Sequence, residues 1–282
     1  MDYAVNLRNV TKKYPGFILD KVNLSVPTGT VMGLVGENGA GKSTTLHLML
    51  GLIRQDAGSV TLLGKDSAQL DRQIKEQIGV VMDEACFPEG LTARDINKIL
   101  RSLYKTWDEE KFFSCLKQFS LPEKRIVKAY SRGMKMKLSI AAALSHNTRL
   151  LILDEATAGL DPVVRDEILE IFMTFMQEES HTIVMSSHIV SDLERVCDYI
   201  AFLHKGKLIF ADEKDVLLDR YAILKCPLEQ LLKVDQRAVI GRRLNMFGAE
   251  ALVEKRRMPR DCILDKAGIE EIMRFYSKEE EA

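Results

Sequence analysis

The run Val31-Met32-Gly33-Leu34-Val35 is apolar throughout and leads directly into Gly36-Glu37-Asn38-Gly39-Ala40-Gly41-Lys42-Ser43-Thr44. A short β-branched run of this kind reads as a strand. The stretch after it fits G-x-x-x-x-G-K-[ST] in the required setting, with the helical segment Thr45 to Leu50 following. Each residue type has a physical reason. Glycines let successive backbone N–H groups converge on phosphate oxygens with no side chain in the way. Lys42 brings a mobile point charge to the β- and γ-phosphates, and Ser43 offers a hydroxyl to Mg²⁺. The backbone of Glu37, Asn38, Ala40 and Thr44 belongs to the same cradle. A chance glycine-rich turn containing lysine would not need the flanking strand and helix.

The rest of the chain supplies the sheet and its covers. β-Branched runs at Val5 to Val10, Val22 to Val26, Val60 to Leu63 and Ile78 to Met82 are separated by turns such as Gln55-Asp56-Ala57-Gly58. A helical section follows. Thr92 and Asp95 form a capping-box start, and Ile96, Ile99, Leu100 and Leu103 line one face. Asp108 caps a second helix on which Phe112, Leu116 and Phe119 repeat the pattern. Two continuous apolar runs, Leu150 to Leu153 and Thr182 to Met185, look like strands covered on both faces, which calls for a parallel sheet with crossover helices; they flank a helix from Pro162 to about Gln177. That helix has Asp161 at its N-cap and proline at its first position. The segment YIAFLHKGKLIF reads as a hairpin turning at Lys205-Gly206.

The expected fold class is therefore α/β: a parallel sheet with crossover helices, an antiparallel β portion and an inserted helical section over about 84–145. Near Asp215 the pattern weakens. The tail, 216–282, reads as a small separate α+β module with a helix over Ile269 to Tyr276. Strand-like stretches stand at Val239 to Leu244 and Ala249 to Glu254. The Lys278-Glu279-Glu280-Glu281 run is solvated.

Two further features carry chemistry. Leu150-Leu151-Ile152-Leu153 ends in Asp154-Glu155, which puts adjacent carboxylates at the carboxyl edge of the sheet, where ligands of α/β folds sit. Asp154 would join a Mg²⁺ shell, and Glu155 would polarise a water for in-line attack on a γ-phosphate. His188 closes the next buried run, so its ring would emerge near the same phosphate. His47, His146, His181 and His204 lack such an argument. The stretch Tyr130-Ser131-Arg132-Gly133-Met134 opens another helix; on its own it reads as a Ser N-cap beside several cations.

Composition narrows the partners. The formal net charge is −1 over 282 residues, which gives no basic footprint for nucleic acid. Cys86, Cys115, Cys197, Cys226 and Cys262 are scattered, with no C-x-x-C pair, so neither a disulfide framework nor a zinc site is expected and a reducing cytosol is implied. No basic and apolar leader opens the chain, and no apolar run approaches the ~20 residues that cross a bilayer. The chain is expected to be soluble and to meet a membrane only through a partner.

Taken together, the order of motifs over roughly Met1 to Asp215 resembles the ATP-binding subunits of ABC transporters, built on a P-loop NTPase core. The resemblance implies an ATPase using ATP and Mg²⁺. Tyr14 would stack on adenine. Tyr130 to Met134 matches the family signature, so Ser131, Arg132, Gly133 and Met134 would face the ATP of a second, opposed subunit. Asp161 belongs to the loop at that dimer interface, and His188 matches the switch histidine.

Two positions depart from the family pattern. Arg132 and Met134 replace its glycine and glutamine, while Ser131 and Gly133 are kept. Asp83 stands where the family has glutamine; it is either an added Mg²⁺ ligand or a solvated loop residue. The segment Ala85 to Leu91 would border the groove for a permease helix. The partners implied are a second ATPase subunit, identical or not, and a separate transmembrane permease, with no nucleic acid. The location implied is cytoplasmic, peripheral on the inner face of the cell membrane. The Ser-Arg-Gly-Met signature and the short tail look most like bacterial ABC-2 exporters.

Competing classes fit less well. Genome-maintenance members carry coiled-coil insertions, and no heptad run interrupts Lys42 to Ser131. Translation-related members join two cassettes through a basic linker. A small-molecule kinase would leave Ser131, Glu155 and His188 without purpose.

Overall fold

The apolar runs become the centre of the main sheet. The computed structural model describes residues 2–82, 87–246, 248–259 and 262–278. Among these the chain begins β1 (Tyr3–Tyr14), β2 (Phe17–Pro27), β3 (Val31–Val35), α1 (Lys42–Met49), β4 (Ala57–Leu62), β5 (Lys65–Asp66), α2 (Arg72–Lys75) and β6 (Ile78–Val81). It continues with α3 (Ala93–Leu103), α4 (Glu109–Gln118), α5 (Arg132–Leu144), β7 (Leu150–Asp154), α6 (Pro162–Phe175), β8 (Thr182–Ser187) and α7 (Val190–Val196). The hairpin β9 (Tyr199–His204) and β10 (Lys207–Glu213) is followed by α8 (Lys214–Arg220), β11 (Tyr221–Cys226) and α9 (Leu228–Leu231). Last come β12 (Val239–Asn245), β13 (Gly248–Glu254), β14 (Leu264–Lys266) and α10 (Ile269–Lys278).

The main sheet has the order β10-β9-β3-β8-β7-β6, parallel except at the β10 edge. Every residue of β3, β7 and β8 is buried, as expected of a sheet covered on both sides. Successive side chains still alternate between two cores. Val31, Val35, Leu151, Leu153, Ile183 and Met185 point to the core shared with α5, α6 and α7. Met32, Leu34, Leu150, Ile152 and Val184 point to the other. That second core is closed by the antiparallel sheet β2-β1-β4-β5 and by α1.

The helical section has its own core, in which Ile96, Phe112, Leu116 and Leu138 are buried. The expected capping box at its start is present: Thr92 Oγ1 accepts from the Asp95 N–H, and the Asp95 carboxylate accepts from the Thr92 N–H.

The third sheet, β12-β13-β11-β14, pairs only within itself. Its apolar face is nonetheless continuous with the main core. Tyr221, Ile223, Leu252, Ile269, Ile272 and Phe275 join the same buried cluster as Val31, Leu193 and Phe202. Polar contacts fasten the junction to α7. The Ile269 N–H donates to Glu194 Oε1 at 3.1 Å, and Lys214 Nζ donates to the Glu194 carbonyl at 2.8 Å. On its other flank α7 meets α6 through Arg165 and Asp192, 2.5 Å apart with Asp192 buried.

The β9–β10 turn braces the glycine loop. Lys205 and Gly206 both have positive φ, 45° and 80°, as a two-residue type I′ hairpin demands. The Gly206 N–H donates to the Ala40 carbonyl at 3.1 Å, and its carbonyl accepts from the Asp20 N–H at 2.8 Å. A Cβ on Gly206 would lie 1.9 Å from the Ile18 carbonyl oxygen. Gly206→Ala is expected to destabilise the fold by about 2–5 kcal/mol, adding left-handed strain to a backbone clash. Urea unfolding checks this, and an unchanged midpoint would refute it.

Candidate active site

Parallel register brings the chemistry to one edge. Val35 pairs with Ser187, and Asp154 pairs with Ser186. The residues that follow these strand ends, Gly36, Glu155 and His188, therefore emerge side by side. Glu155 and His188 border a cleft of about 700 Å³ lined also by Asn38, Gly39 and Gly41 to Thr44 of the glycine loop, by Arg132 and by the loop at Ala158 and Gly159. A wider groove of about 1670 Å³ lies on the helical section around Arg94, Trp107 and Phe113. It lacks the carboxylate–lysine–histidine grouping, so size does not locate the site.

The glycine loop is tight where a cradle must be tight. A Cβ on Gly36 would sit 2.3 Å from the Leu203 carbonyl oxygen, and one on Gly41 would sit 3.0 Å from Phe17 Cζ. Gly41, with φ of 108°, is the N-cap of α1, and that helix opens with Lys42, Ser43 and Thr44. Its first turn contains no acidic residue, so nothing there competes with an anion for the helix N-terminus. The buried Lys42 ammonium donates to the Gly36 carbonyl at 2.8 Å and to the Glu37 carbonyl at 3.3 Å.

Glu155 links the remaining groups. One carboxylate oxygen lies 3.4 Å from Lys42 Nζ, and the other accepts from His188 Nδ1 at 2.7 Å. Its backbone takes a left-handed φ of 50°, which a non-glycine residue holds only when its surroundings compel it. The compulsion is visible. The Glu155 N–H donates to Ser186 Oγ at 2.9 Å, and that hydroxyl donates to Asp154 Oδ1 at 2.6 Å. Asp154 is buried behind it. The His188 side chain is 52% exposed, so the ring stays open to whatever enters the cleft.

Among the described residues no three His, Cys, Asp or Glu side chains gather as a metal site. A divalent cation beside Ser43 and Asp154 would complete its shell with phosphate oxygens and water, which is the manner of Mg²⁺. The donor set fits that ion. Asp83 lies outside the described residues, as do Glu84, Ala85 and Cys86. Farther along the same segment, Phe87 and Leu91 are partly buried against the helical core.

The signature residues occupy separate positions. Ser131 is the N-cap of α5, its Oγ accepting from the Met134 N–H at 3.2 Å. Gly133 approaches Val164, which a Cβ would meet at 3.1 Å, and Met134 packs on the helical core. Arg132 reaches the cleft of its own chain. Its Nη1 lies 2.6 Å from the place a Cβ on Gly159 would take. Asp161 caps α6, with Oδ1 accepting from the Val164 N–H at 3.1 Å.

Tyr14 ends β1 at 40% exposure, with Lys12 Nζ 5.5 Å from its ring centre. It does not line the cleft; Phe17, paired with it across the Pro15-Gly16 turn, does. Phe17 belongs to no motif in the sequence. A second aromatic directly across a tight turn is the signal that would have found it.

The chain is similar to known proteins in both sequence and structure. The sequence model of the family described as "ABC transporter" matches residues 19–158. The chain is 37% identical over 214 residues to the lantibiotic transport ATP-binding protein SrtF of Streptococcus pyogenes, covering 75% of this chain and 91% of that one. It is 34% identical over 212 residues to the bacitracin transport ATP-binding protein BcrA of Enterococcus faecalis, covering 74% and 69%. Among solved structures, an ATP-binding subunit of an ABC transporter superposes with a TM-score of 0.69 at 27% identity, over 75% of this chain and 90% of that one. The dimeric cassette MJ0796, in a post-hydrolysis state bound to ADP and Pi, gives 0.66 at 25%, over 74% and 98%.

Proposed function

The chain belongs to the ABC transporter family as one of its ATP-binding, ATP-hydrolysing subunits, and on that basis we propose how its residues divide the work. The triphosphate rests on the backbone of Gly36 to Thr44, with Lys42 exchanging its carbonyl partners for the β- and γ-oxygens. The observation that carries the reading is the Glu155 carboxylate, held between Lys42 and His188. Once Lys42 turns to phosphate, Glu155 is free to accept a proton from the attacking water. The His188 ring fixes the carboxylate's orientation and senses the γ-phosphate. Mg²⁺, held by Ser43 and Asp154, would neutralise charge developing on the phosphate oxygens.

Base recognition falls to Tyr14, with Phe17 at the inner edge of the same turn. The lid comes from a second ATPase subunit: its Ser131 hydroxyl and Gly133 N–H reach the γ-phosphate, and Asp161 lies at the seam. The dimeric state of the similar MJ0796 cassette supports this arrangement. Closure around ATP and release after hydrolysis then drive a separate transmembrane permease.

Among the described residues no helix is long and apolar enough to cross a membrane. The proposed place is accordingly cytoplasmic, on the inner face of the membrane through the permease. Export as the direction rests on a relative named as a Nod factor export ATP-binding protein, from Mesorhizobium japonicum, 33% identical over 225 residues. A cassette of 1–215, with its helical insertion at about 84–145, carries this chemistry, and 216–282 forms an accessory module whose sheet, among the described residues, pairs only within itself.

A shared site makes the rate depend on meeting. In dilute solution, ATP turnover per subunit is expected to rise in proportion to protein concentration and then level off. Turnover per subunit that stays constant on dilution would exclude the shared site.

A further inference from the structure

We propose that Cys226 and Cys262 close into a reversible disulfide when the protein meets a small-molecule disulfide, making one end of the third sheet a thiol–disulfide modification site. The two residues are far apart in sequence and share no motif; the sheet brings them together. In the β11–β14 pairing, Ala222 faces Lys266, Ile223 faces Asp265 and Leu224 faces Leu264. Cys226 ends β11, and Cys262 stands two residues before β14 in a bend, where its N–H donates to the Pro259 carbonyl at 3.2 Å, so both thiols come to the same end of the sheet. Neighbouring strands lie about 4.7–4.9 Å apart, a separation that suits the roughly 4.4–6.8 Å between Cα atoms that a disulfide spans.

Packing agrees with this placement. Side chains alternate along β11, so Leu224 and Cys226 share one face; Leu264 and Cys262 pack against the same residues. All four border the same apolar cluster, around Ala249, Ala251 and Val253. Both thiols are only partly covered, whereas Cys197 is buried. Cys115 belongs to the core of the helical section, apart from this sheet. Burial pushes the Cys226 thiol up; the neighbouring Cys262 adds to the rise, and the Leu231 N–H opposes it. Closure should therefore quicken as pH rises and more Cys226 becomes thiolate.

The chemistry balances through exchange. One cysteine thiolate attacks a sulfur of the small disulfide, forming a mixed disulfide and releasing one thiol. The second cysteine thiolate then attacks the protein sulfur of that adduct, forms the Sγ–Sγ bond and releases the second thiol. The two protein thiols are oxidised, and the small disulfide is reduced to two thiols.

The test treats the full chain with oxidised glutathione, followed by alkylation and non-reducing peptide mapping. The expected product is a peptide pair joined at Cys226 and Cys262, lighter by two hydrogen atoms, lost on adding dithiothreitol and formed faster at higher pH. Cys226→Ser and Cys262→Ser should each instead retain a glutathione adduct on the surviving cysteine. Wild-type protein that carries only glutathione adducts, stays unmodified, or links either residue to another cysteine would overturn the proposal. Wild-type mapping decides the matter even if a serine variant folds poorly.

Discussion

Glu155→Gln is expected to lower steady-state ATP turnover by about 10²–10⁴-fold, the range for losing a positioned general base. The amide keeps the length and shape of the carboxylate, so it can still accept from His188 Nδ1, now 2.7 Å from Glu155 Oε2. It cannot take a proton from water. ATP affinity should hold or improve. The change removes a negative charge 3.4 Å from Lys42 Nζ, and that charge competes with the phosphates for the ammonium. A variant that binds but does not cleave should accumulate as an ATP-locked dimer, visible by size-exclusion chromatography with light scattering. Phosphate release within a few-fold of wild type would remove Glu155 from the role of base.

Lys42→Met is expected to weaken ATP binding by about 10–150-fold, the equivalent of a charge-assisted hydrogen bond at 1.5–3 kcal/mol, and to abolish turnover. Methionine keeps much of the apolar stem, so the buried site is not left hollow. What disappears is the cation that two loop carbonyls and Glu155 now surround. The two variants should separate cleanly in equilibrium dialysis: the glutamine variant retains nucleotide and the methionine variant does not. A methionine variant with wild-type affinity would mean that the backbone amides alone hold the phosphates. Near-native thermal melting would confirm that the fold survives.

Legibility in the sequence followed burial. Runs enclosed on both faces announced themselves: Val31 to Val35 is β3 residue for residue, and Leu150 to Leu153 is β7 short of its final Asp154. Caps were equally readable, because Thr92, Asp108, Ser131 and Asp161 each accept an N–H from the helix they begin. The tail was harder. Tyr221 to Leu224 is buried as β11, yet so short an apolar run beside a helix has no diagnostic period. Nothing local indicates that α10 packs on the main core, because that contact closes across a long stretch of chain. At the site, Glu155 and His188 follow strand ends and come together with Lys42, whereas two approaches within the chain have no local signal. Arg132 beside Gly159, and Phe17 beneath Gly41, depend on tertiary approach that no spacing encodes.

The helix after His188 joins two parts of the fold. It is only seven residues long, Val190 to Val196, and it is gripped from both flanks, by Arg165 on one side and by the start of α10 on the other. Through Glu194 and Asp192 the carboxyl-terminal α10 and α6 hold the same short helix, whose first residue stands two positions after His188, so both share one support beside the cleft.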